Sequence, residues 1–386
     1  MPLPVRVNKK LPRRGYLCTD RYLFPLATHI IHPRQFLDPD QLDAFLERGW
    51  RPTGQSIYTS DYLRTDDDEL HGCLQIRLPL RDFTFKKRHR KLLRRNKKHF
   101  TAQYAKAGFP DQDLLAVNRR YMAQHPDKTR EDLEYNVINE AGQQVLNTHV
   151  LRIYDGEKLV AFSYFDLGQR VMYAKAGIYD PEYAPASLGL YTMLLEVERA
   201  LELGFSHYYP GYYSPTFPAF DYKLRLGPME YRDISTAEWR AHASDPAQQP
   251  EDPLRTNRDK LIVAREALQS SGVRAEFREY PSFTGRFRPV QQGENVMLDA
   301  PQLLLVGRPL PLEFYFVLTY DNEVRRYRFD VVRTANLYDM RVQMLSRQGV
   351  PRFTTPVVVH NRIVETENLP VLVRKIRERV AGASPA

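Results

Sequence analysis

Asp180-Pro181-Glu182-Tyr183-Ala184-Pro185-Ala186-Ser187-Leu188-Gly189-Leu190-Tyr191 stands between a strand pattern and a helix pattern, and the chain then runs on to Gly211-Tyr212-Tyr213 and Tyr222-Lys223. Leu190, Leu194, Val197 and Leu201 form an apolar stripe, which predicts an amphipathic helix over 188–203. The loop Ser187-Leu188-Gly189 therefore meets a helix N-terminus. A glycine at that junction lets a second molecule approach the backbone closely, and the first free N–H groups of the helix favour an anion or a developing oxyanion. That combination suits acyl transfer.

Reading outward, 149–154, 158–166 and 170–178 alternate as strands, with turns at Asp155-Gly156 and Gly168, and Tyr208-Tyr209 is a further strand after the helix. An antiparallel meander, a helix opening at a glycine loop and another strand form the core order of the GNAT-type acyltransferase fold. The expected class is thus α+β: a GNAT-like acyltransferase domain with an N-terminal α+β segment and a C-terminal α+β extension. The divisions expected are 1–84, 85–235, a linker at 236–253 rich in Ala, Asp, Gln and Pro, and 254–386. In the first, a helix is expected at 38–48, with Leu42, Phe45 and Leu46 on one side and Gly49 as its stop, and strands at 56–58 and 74–78. A helix at 111–125 carries Leu114, Leu115, Val117 and Tyr121. In the last division, a helix is expected at 258–269, strands at 303–306, 314–318, 325–332 and 356–360, and a helix at 370–380.

A chain of 386 residues with 42% hydrophobic and 27% charged residues has the composition of an ordinary globular protein with a sizeable core. No apolar run approaches the roughly 20 residues that span a bilayer, and 1–14 lacks an apolar signal core, so a cytoplasmic monomer is the expectation. Cys18 and Cys73 have no CxxC partner; they are read as buried small hydrophobes, with neither a disulfide framework nor a metal site. The formal charge of +9 points to an anionic partner. It is concentrated in 85–100, FKKRHRKLLRRNKKHF, where nine Lys/Arg stand with no acid. Phe85, His89, Leu92, Leu93, Asn96 and Phe100 recur at helical spacing, so one narrow face docks on the body while Lys86, Lys87, Arg90, Lys91, Arg94, Arg95, Lys97 and Lys98 cover the rest. A helix that only needs solubility mixes signs; a phosphate backbone is the natural counter-charge for one that does not.

The motifs, taken in order over roughly residues 15–233, resemble the arginyl- and leucyl-tRNA-protein transferases. They are Leu46-Glu47-Arg48-Gly49-Trp50-Arg51-Pro52-Thr53-Gly54, then Arg77-Leu78-Pro79-Leu80 with Phe83, the basic run ending Leu93-Arg94-Arg95-Asn96, and Arg120-Tyr121 with His125-Pro126-Asp127. Tyr179-Asp180-Pro181, Ser187-Leu188-Gly189-Leu190-Tyr191, Gly211-Tyr212-Tyr213 and Tyr222-Lys223 follow at family-like spacing. The resemblance implies transfer of an amino acid, arginine before leucine, from tRNA to the N-terminal amine of an acceptor protein in the N-degron route. It needs no cofactor, metal or protein nucleophile, because the aminoacyl ester is already activated.

On this reading Asp180, Ser187, Leu188, Gly189, Tyr212 and Tyr222 are the catalytic candidates, and the general base stays open among Asp180, His207, the terminal hydroxyl of the tRNA and solvent. Lys223, Lys175, Tyr213 and His125 are the substrate-binding candidates, either lysine serving as the cation for an acidic acceptor terminus. The basic run takes the tRNA acceptor arm, with Arg94 and Arg95 on phosphates. Without the family, Lys223 reads equally well as a snorkelling surface lysine, and Tyr212, Tyr213 and Tyr222 as aromatics at the core edge. Two departures qualify the resemblance. The family's two cysteine pairs are reduced to Cys18 and Cys73, which predicts no iron–sulfur cluster and packing around Tyr16 and Tyr22 instead. The family's Lys-Met before Tyr-Lys is Ala219-Phe220 here. Two other functions stay open: an acyl-CoA-dependent N-acyltransferase, which Pro185-Ala186-Ser187-Leu188-Gly189-Leu190 fits poorly for want of a leading Arg or Gln and a final small residue, and a non-catalytic tRNA-binding relative.

Overall fold

The structure is a computed structural model that describes residues 28–64, 70–125, 129–243, 249–280, 297–335 and 351–381. Cys18, Tyr16, Tyr22 and Pro126-Asp127 lie outside the described residues.

The chain opens with β1 (Thr28–Ile31), α1 (Pro39–Glu47), β2 (Arg51–Thr53) and β3 (Ser56–Ser60), and β3 pairs antiparallel with both other strands. Leu42 and Leu46 bury the inner side of α1, and Gly49, at φ +85°, makes the left-handed turn that stops it. A two-stranded ribbon, β4 (Tyr62–Arg64) with β5 (Leu70–Gly72), leads into β6 (Leu74–Pro79).

Next come α2 (Lys87–Asn96), β7 (Thr101–Lys106) and α3 (Gln112–Gln124), the last capped by the Asp111 carboxylate on the Leu114 N–H. The meander follows as β8 (Thr148–Asp155), β9 (Lys158–Leu167) and β10 (Val171–Tyr179). A 3₁₀ turn over Pro181–Ala186 joins it to α4 (Leu188–Glu202), then β11 (His207–Tyr209) and β12 (Tyr212–Tyr213). A second 3₁₀ segment, Pro218–Arg225, precedes β13 (Glu230–Arg232) and β14 (Trp239–Ala241). These strands form one sheet in the order β14-β13-β6-β11-β10-β9-β8-β7, with β12 also on β6; β10 and β11 are parallel and the other pairs antiparallel.

Both faces of the sheet are covered, which is why β9 reads as an almost unbroken apolar run. Leu151, Ile153, Val160 and Met172 pack with Leu188, Tyr191, Leu194 and Val197 of α4 and Leu93 of α2. Val150, Phe162, Tyr164 and Ile178 pack with Leu114, Val117 and Tyr121 of α3. The meander, helix and further strand therefore stand in the acyltransferase order that the sequence led one to expect.

The expected divisions do not coincide with breaks in this sheet. β6, placed in the N-terminal segment, pairs with β11, β12 and β13, so 74–79 and 85–235 share one sheet. Trp239–Ala241, inside the expected linker, is an edge strand on β13, and 244–248 of that linker lie outside the described residues. The C-terminal unit, expected from 254, opens with α5 (Pro253–Ser270), which starts five residues before the helix expected at 258 because Asp252 caps the Leu254 and Arg255 N–H groups and Pro253 occupies the first turn. β15 (Ala275–Glu279), β16 (Gln302–Leu310), β17 (Phe314–Asp321), β18 (Arg326–Thr334) and β19 (Val357–Thr366) form an antiparallel meander, followed by α6 (Leu369–Ala381). Leu261 and Leu268 of α5 and Leu372 and Ile376 of α6 cover the face that carries Leu304, Phe316 and Phe329. No helix among the described residues is long and apolar enough to cross a membrane.

Candidate active site

β10 and β11 pair only from Val171 to Tyr173 and from His207 to Tyr209. Beyond that, β10 bulges between Ala174 and Ala176 and stays with β9, whereas the chain after Tyr209 turns through Gly211 and puts β12 on β6. The two strands part, and the sheet opens beside the start of α4. Tyr179, at the end of β10, lies against Gly189: a Cβ on that glycine would stand 3.4 Å from the Tyr179 ring. Tyr121 packs edge-on to Tyr179 at 5.3 Å and tilts over His125 at 4.7 Å. Burial, with Tyr179 and Tyr222 as electrostatic neighbours, pushes the Tyr121 hydroxyl up to about 12.

The residue that turns the chain into α4 is Ser187, held left-handed at φ +54° with its N–H bonded to the Ala184 carbonyl at 2.9 Å. The glycine expected at the junction lies instead within the first turn of α4, where its missing side chain makes room for Tyr179. Leu188 is fully buried and anchors that turn in the core. Asp180 is also fully buried: it caps the Glu182 N–H at 3.2 Å and takes ion pairs from Arg120 Nε at 2.7 Å and Lys158 Nζ at 3.5 Å. His207 opens β11, half-buried beside Ser206 and Tyr209, where burial and the Arg77 charge lower its pKa.

Across the opening, Lys223 is 7% exposed. Its Nζ donates to the Tyr212 carbonyl at 2.7 Å and lies 4.7, 4.8 and 5.9 Å from the rings of Tyr212, Phe220 and Tyr222. Gly211, at φ +94°, makes this approach possible, since a Cβ there would stand 3.4 Å from Nζ on a backbone that L side chains avoid. On the far side of the Tyr212 ring is Arg51, 1% exposed, its guanidinium 4.9 Å from Tyr212 and 5.0 Å from Tyr58. Arg51 Nη2 donates to the Ser60 carbonyl at 2.7 Å, while Nε and Nη1 have no hydrogen-bond partner among the described residues. Burial, reinforced by the Arg51 charge, pushes the Lys223 ammonium down to about 7. No carboxylate among the described residues forms an ion pair with either cation.

The other lysine proposed for that role is placed differently. Lys175 Nζ is buried 2.9 Å from Asp166 and 2.9 Å from Thr148 Oγ1, with the Asn136 carbonyl at 3.2 Å. Lys175 is thus neutralised by Asp166, whereas Lys223 has no carboxylate partner among the described residues. Tyr213 is buried in a small core with Leu74, Ile76 and Tyr231, whereas Tyr222 stands 44% exposed at the rim. Ala219 is exposed in the same 3₁₀ segment as Lys223.

The basic helix abuts the α4 loop. His89, Leu93 and Asn96 face inward, and Lys86, Lys87, Arg90, Lys91, Arg94, Arg95, Lys97 and Lys98 are exposed. Asn96 Nδ2 donates to the Ala186 carbonyl at 2.8 Å and Arg95 Nη2 to the same oxygen at 3.2 Å, so the end of α2 is fixed one residue from Ser187. Lys97 is paired with Glu198 of α4 at 2.6 Å, an acid the local sequence does not show. Arg51 is the residue that the list of candidates lacks. Its signal was the Gly-Trp-Arg-Pro-Thr-Gly motif, but burial beside Tyr212, more than 150 positions away, is a property of the fold.

Residues 113–233 match the family model described as arginine-tRNA-protein transferase, C terminus. The aspartate/glutamate leucyltransferase of Phenylobacterium zucineum is 30% identical over 199 residues, covering 49% of this chain and 74% of that protein. The protein of the same name from Vibrio cholerae serotype O1 is 27% identical over 213 residues, covering 53% of this chain and 85% of its own. Among solved structures, the C-terminal domain of a putative lysylphosphatidylglycerol synthetase from Agrobacterium fabrum overlays 39% of this chain and 50% of its own at TM-score 0.31 and 14% identity. With the ordered motifs now gathered around one opening in the sheet, the sequence relationship is decisive: the chain is a divergent member of the aminoacyl-tRNA-protein transferase family.

Proposed function

We propose that the protein transfers leucine from leucyl-tRNA to the α-amine of polypeptides that begin with aspartate or glutamate. The observation that carries this reading is the enclosed pair Arg51 and Lys223 without a carboxylate among the described residues, across the opening from the first turn of α4. An acidic N-terminal side chain supplies the missing anion, contacting Lys223 with Arg51 behind the Tyr212 ring. Leucine is favoured over the arginine expected from the motifs because the relatives named above are leucyltransferases and because Asp180, the buried acid nearest the α4 loop, is already held by Arg120 and Lys158. An arginine donor would need a free carboxylate for its side chain.

The acceptor ammonium first loses a proton. Its nitrogen attacks the ester carbonyl and the C–N bond forms as the carbonyl electrons move to oxygen; the first-turn amides of α4 stabilise this oxyanion, and its collapse breaks the C–O bond to the ribose. The ribose oxygen takes the second proton from the attacking nitrogen, leaving an amide and free tRNA. Arg94 and Arg95 hold the acceptor arm against the α4 loop, and Tyr222 and His125 border the entry. The new N-terminus is of the kind read in N-degron proteolysis.

The test is purified protein with radiolabelled leucyl-tRNA, arginyl-tRNA or acetyl-CoA and peptides beginning with Asp, Glu, Arg or Lys. Label moving from leucyl-tRNA to the Asp and Glu peptides is expected. Transfer from arginyl-tRNA alone would overturn the donor assignment, transfer from acetyl-CoA alone would overturn the family chemistry, and label on the Arg and Lys peptides would overturn the acceptor pocket.

A further inference from the structure

The C-terminal unit lies outside the chemistry just described, yet it reaches the Arg51 and Lys223 enclosure through the β4–β5 ribbon. Tyr62, the first residue of β4, is 4% exposed and packs inside the C-terminal unit among Tyr280, Leu303, Val317, Val332 and Val357, on the face of that sheet opposite α5 and α6. Asn322, on the turn after β17, donates to the Tyr62 hydroxyl at 3.3 Å and to the Pro253 carbonyl at 2.8 Å. Opposite Tyr62 in the ribbon is Gly72, where a Cβ would collide with the Asp252 carboxylate and stand 2.5 Å from Pro253 Cδ. The ribbon is thus clamped between the start of α5 and the inner face of the C-terminal sheet.

Two residues before Tyr62, the same strand path makes the wall of the anion site. The Ser60 carbonyl accepts from Arg51 Nη2 at 2.7 Å and from Cys73 Sγ at 3.0 Å, the Asp61 carbonyl accepts from the Cys73 N–H at 2.8 Å, and the Ser60 hydroxyl bonds the Tyr62 backbone. Cys73 in turn touches Arg51 at 3.8 Å. We infer that Tyr62 is a positioning residue, through which the C-terminal unit holds Ser60, and hence Arg51 and Cys73, in the geometry that receives an acidic acceptor side chain. Withdrawing the Tyr62 ring frees the strand on which the Ser60 carbonyl sits, and Arg51 loses the carbonyl that holds its Nη2 at 2.7 Å.

The inference rests on the proposed acceptor pocket for its kinetic arm and stands apart from it in a labelling arm. Full-length Tyr62→Ala is compared with wild type, with Tyr62→Phe as the conservative variant and Asn322→Ala as a milder one that keeps the ring. KM for an Asp-initiated peptide is expected to rise about tenfold in Tyr62→Ala, with KM for leucyl-tRNA within about twofold and Tyr62→Phe near wild type. Alkylation of Cys73 by iodoacetamide, read by peptide mass mapping, is expected to accelerate at least about tenfold in Tyr62→Ala and detectably in Asn322→Ala, because the thiol is 3% exposed in the intact wall. A role confined to stability would lower the active fraction and leave both KM values and Cys73 protection in the folded protein unchanged, and that result overturns the inference. If Tyr62→Ala does not fold, unchanged Cys73 protection in Asn322→Ala overturns it. Should wild type transfer nothing, the proposed function falls, and the labelling arm alone still decides this inference.

Discussion

The cations of α2 stand in solvent, whereas Lys223 and Arg51 are 7% and 1% exposed. Exposed charges interact through a high dielectric, are screened by salt and tolerate many geometries, which suits a polyanion gripped along its backbone. Buried charges face large desolvation costs and accept only a partner of defined shape, which suits a single carboxylate. Lys175 is the internal control: it is as buried as Lys223 but lies 2.9 Å from Asp166. Depth alone therefore does not distinguish the two lysines; the counter-charge does.

The largest effect expected from this contrast is on stability. Lys175→Met leaves Asp166 buried without its cation and should cost about 3–5 kcal/mol, seen as a large fall in Tm. Lys223→Met removes a cation with no carboxylate partner, so its Tm should hold or rise. Equal losses of Tm in the two variants would break the distinction. For activity the order reverses: Lys223→Met should lower kcat/KM for an Asp-initiated peptide by roughly 100-fold, about 3 kcal/mol, with KM for aminoacyl-tRNA unchanged.

The pH dependence sharpens the same point. The folded value for Lys223, about 7, lies below its ordinary 10.5. Between those two values the unfolded chain holds a proton that the folded chain does not, so the Lys223 contribution makes stability rise with pH across that window and stay at its minimum below it. Lys223→Met should remove this slope in denaturant titrations. In catalysis, KM for an acidic acceptor should increase above about pH 7 as Lys223 loses its charge, and a flat profile would argue against a charged Lys223 in acceptor binding.

Arg94→Glu with Arg95→Glu should weaken tRNA binding about tenfold or more at low salt and reduce the slope of log K against log salt by about 2, leaving peptide KM untouched. An unchanged slope would make α2 a solvated face. The smallest effect is expected at Ser187, where replacing a left-handed non-glycine residue by Gly should stabilise the fold by about 0.5–1 kcal/mol in denaturant melts.

The legible elements were those whose signal is local. The stripe of Leu194, Val197 and Leu201, the strand runs at 149–178 and the cap-to-glycine pattern of α1 each depend on residues within one helix or hairpin, and each element formed within a few positions of its expected bounds. β12, β13 and β14 are two or three residues long and β7 is polar and exposed, so none of them has a periodicity to read; β12 and β13 are strands because the distant β6 hydrogen-bonds to them, β7 because β8 does, and β14 extends the sheet from β13. The same limit applied to the site. The Gly211-Tyr212 and Tyr222-Lys223 motifs lie on the segments that enclose Lys223, but only the pairing of β9 with β10 turns Asp166, nine positions away, onto Lys175, and only the fold sets Lys223 beside Arg51 of β2.

By itself, the sequence determined the acyltransferase order of elements, the basic helix and membership in the transferase family, because periodicity, charge density and ordered motifs are properties of the chain. Only the tertiary structure decided which buried cations carry a counter-charge. It brought β2 against the loop after β12, paired Lys175 with Asp166 and tied the ribbon at Tyr62 to the C-terminal unit. The physical reason is that the worth of a charge depends on its dielectric surroundings and on its nearest counter-charge, and both are set by which strands and loops the fold brings side by side.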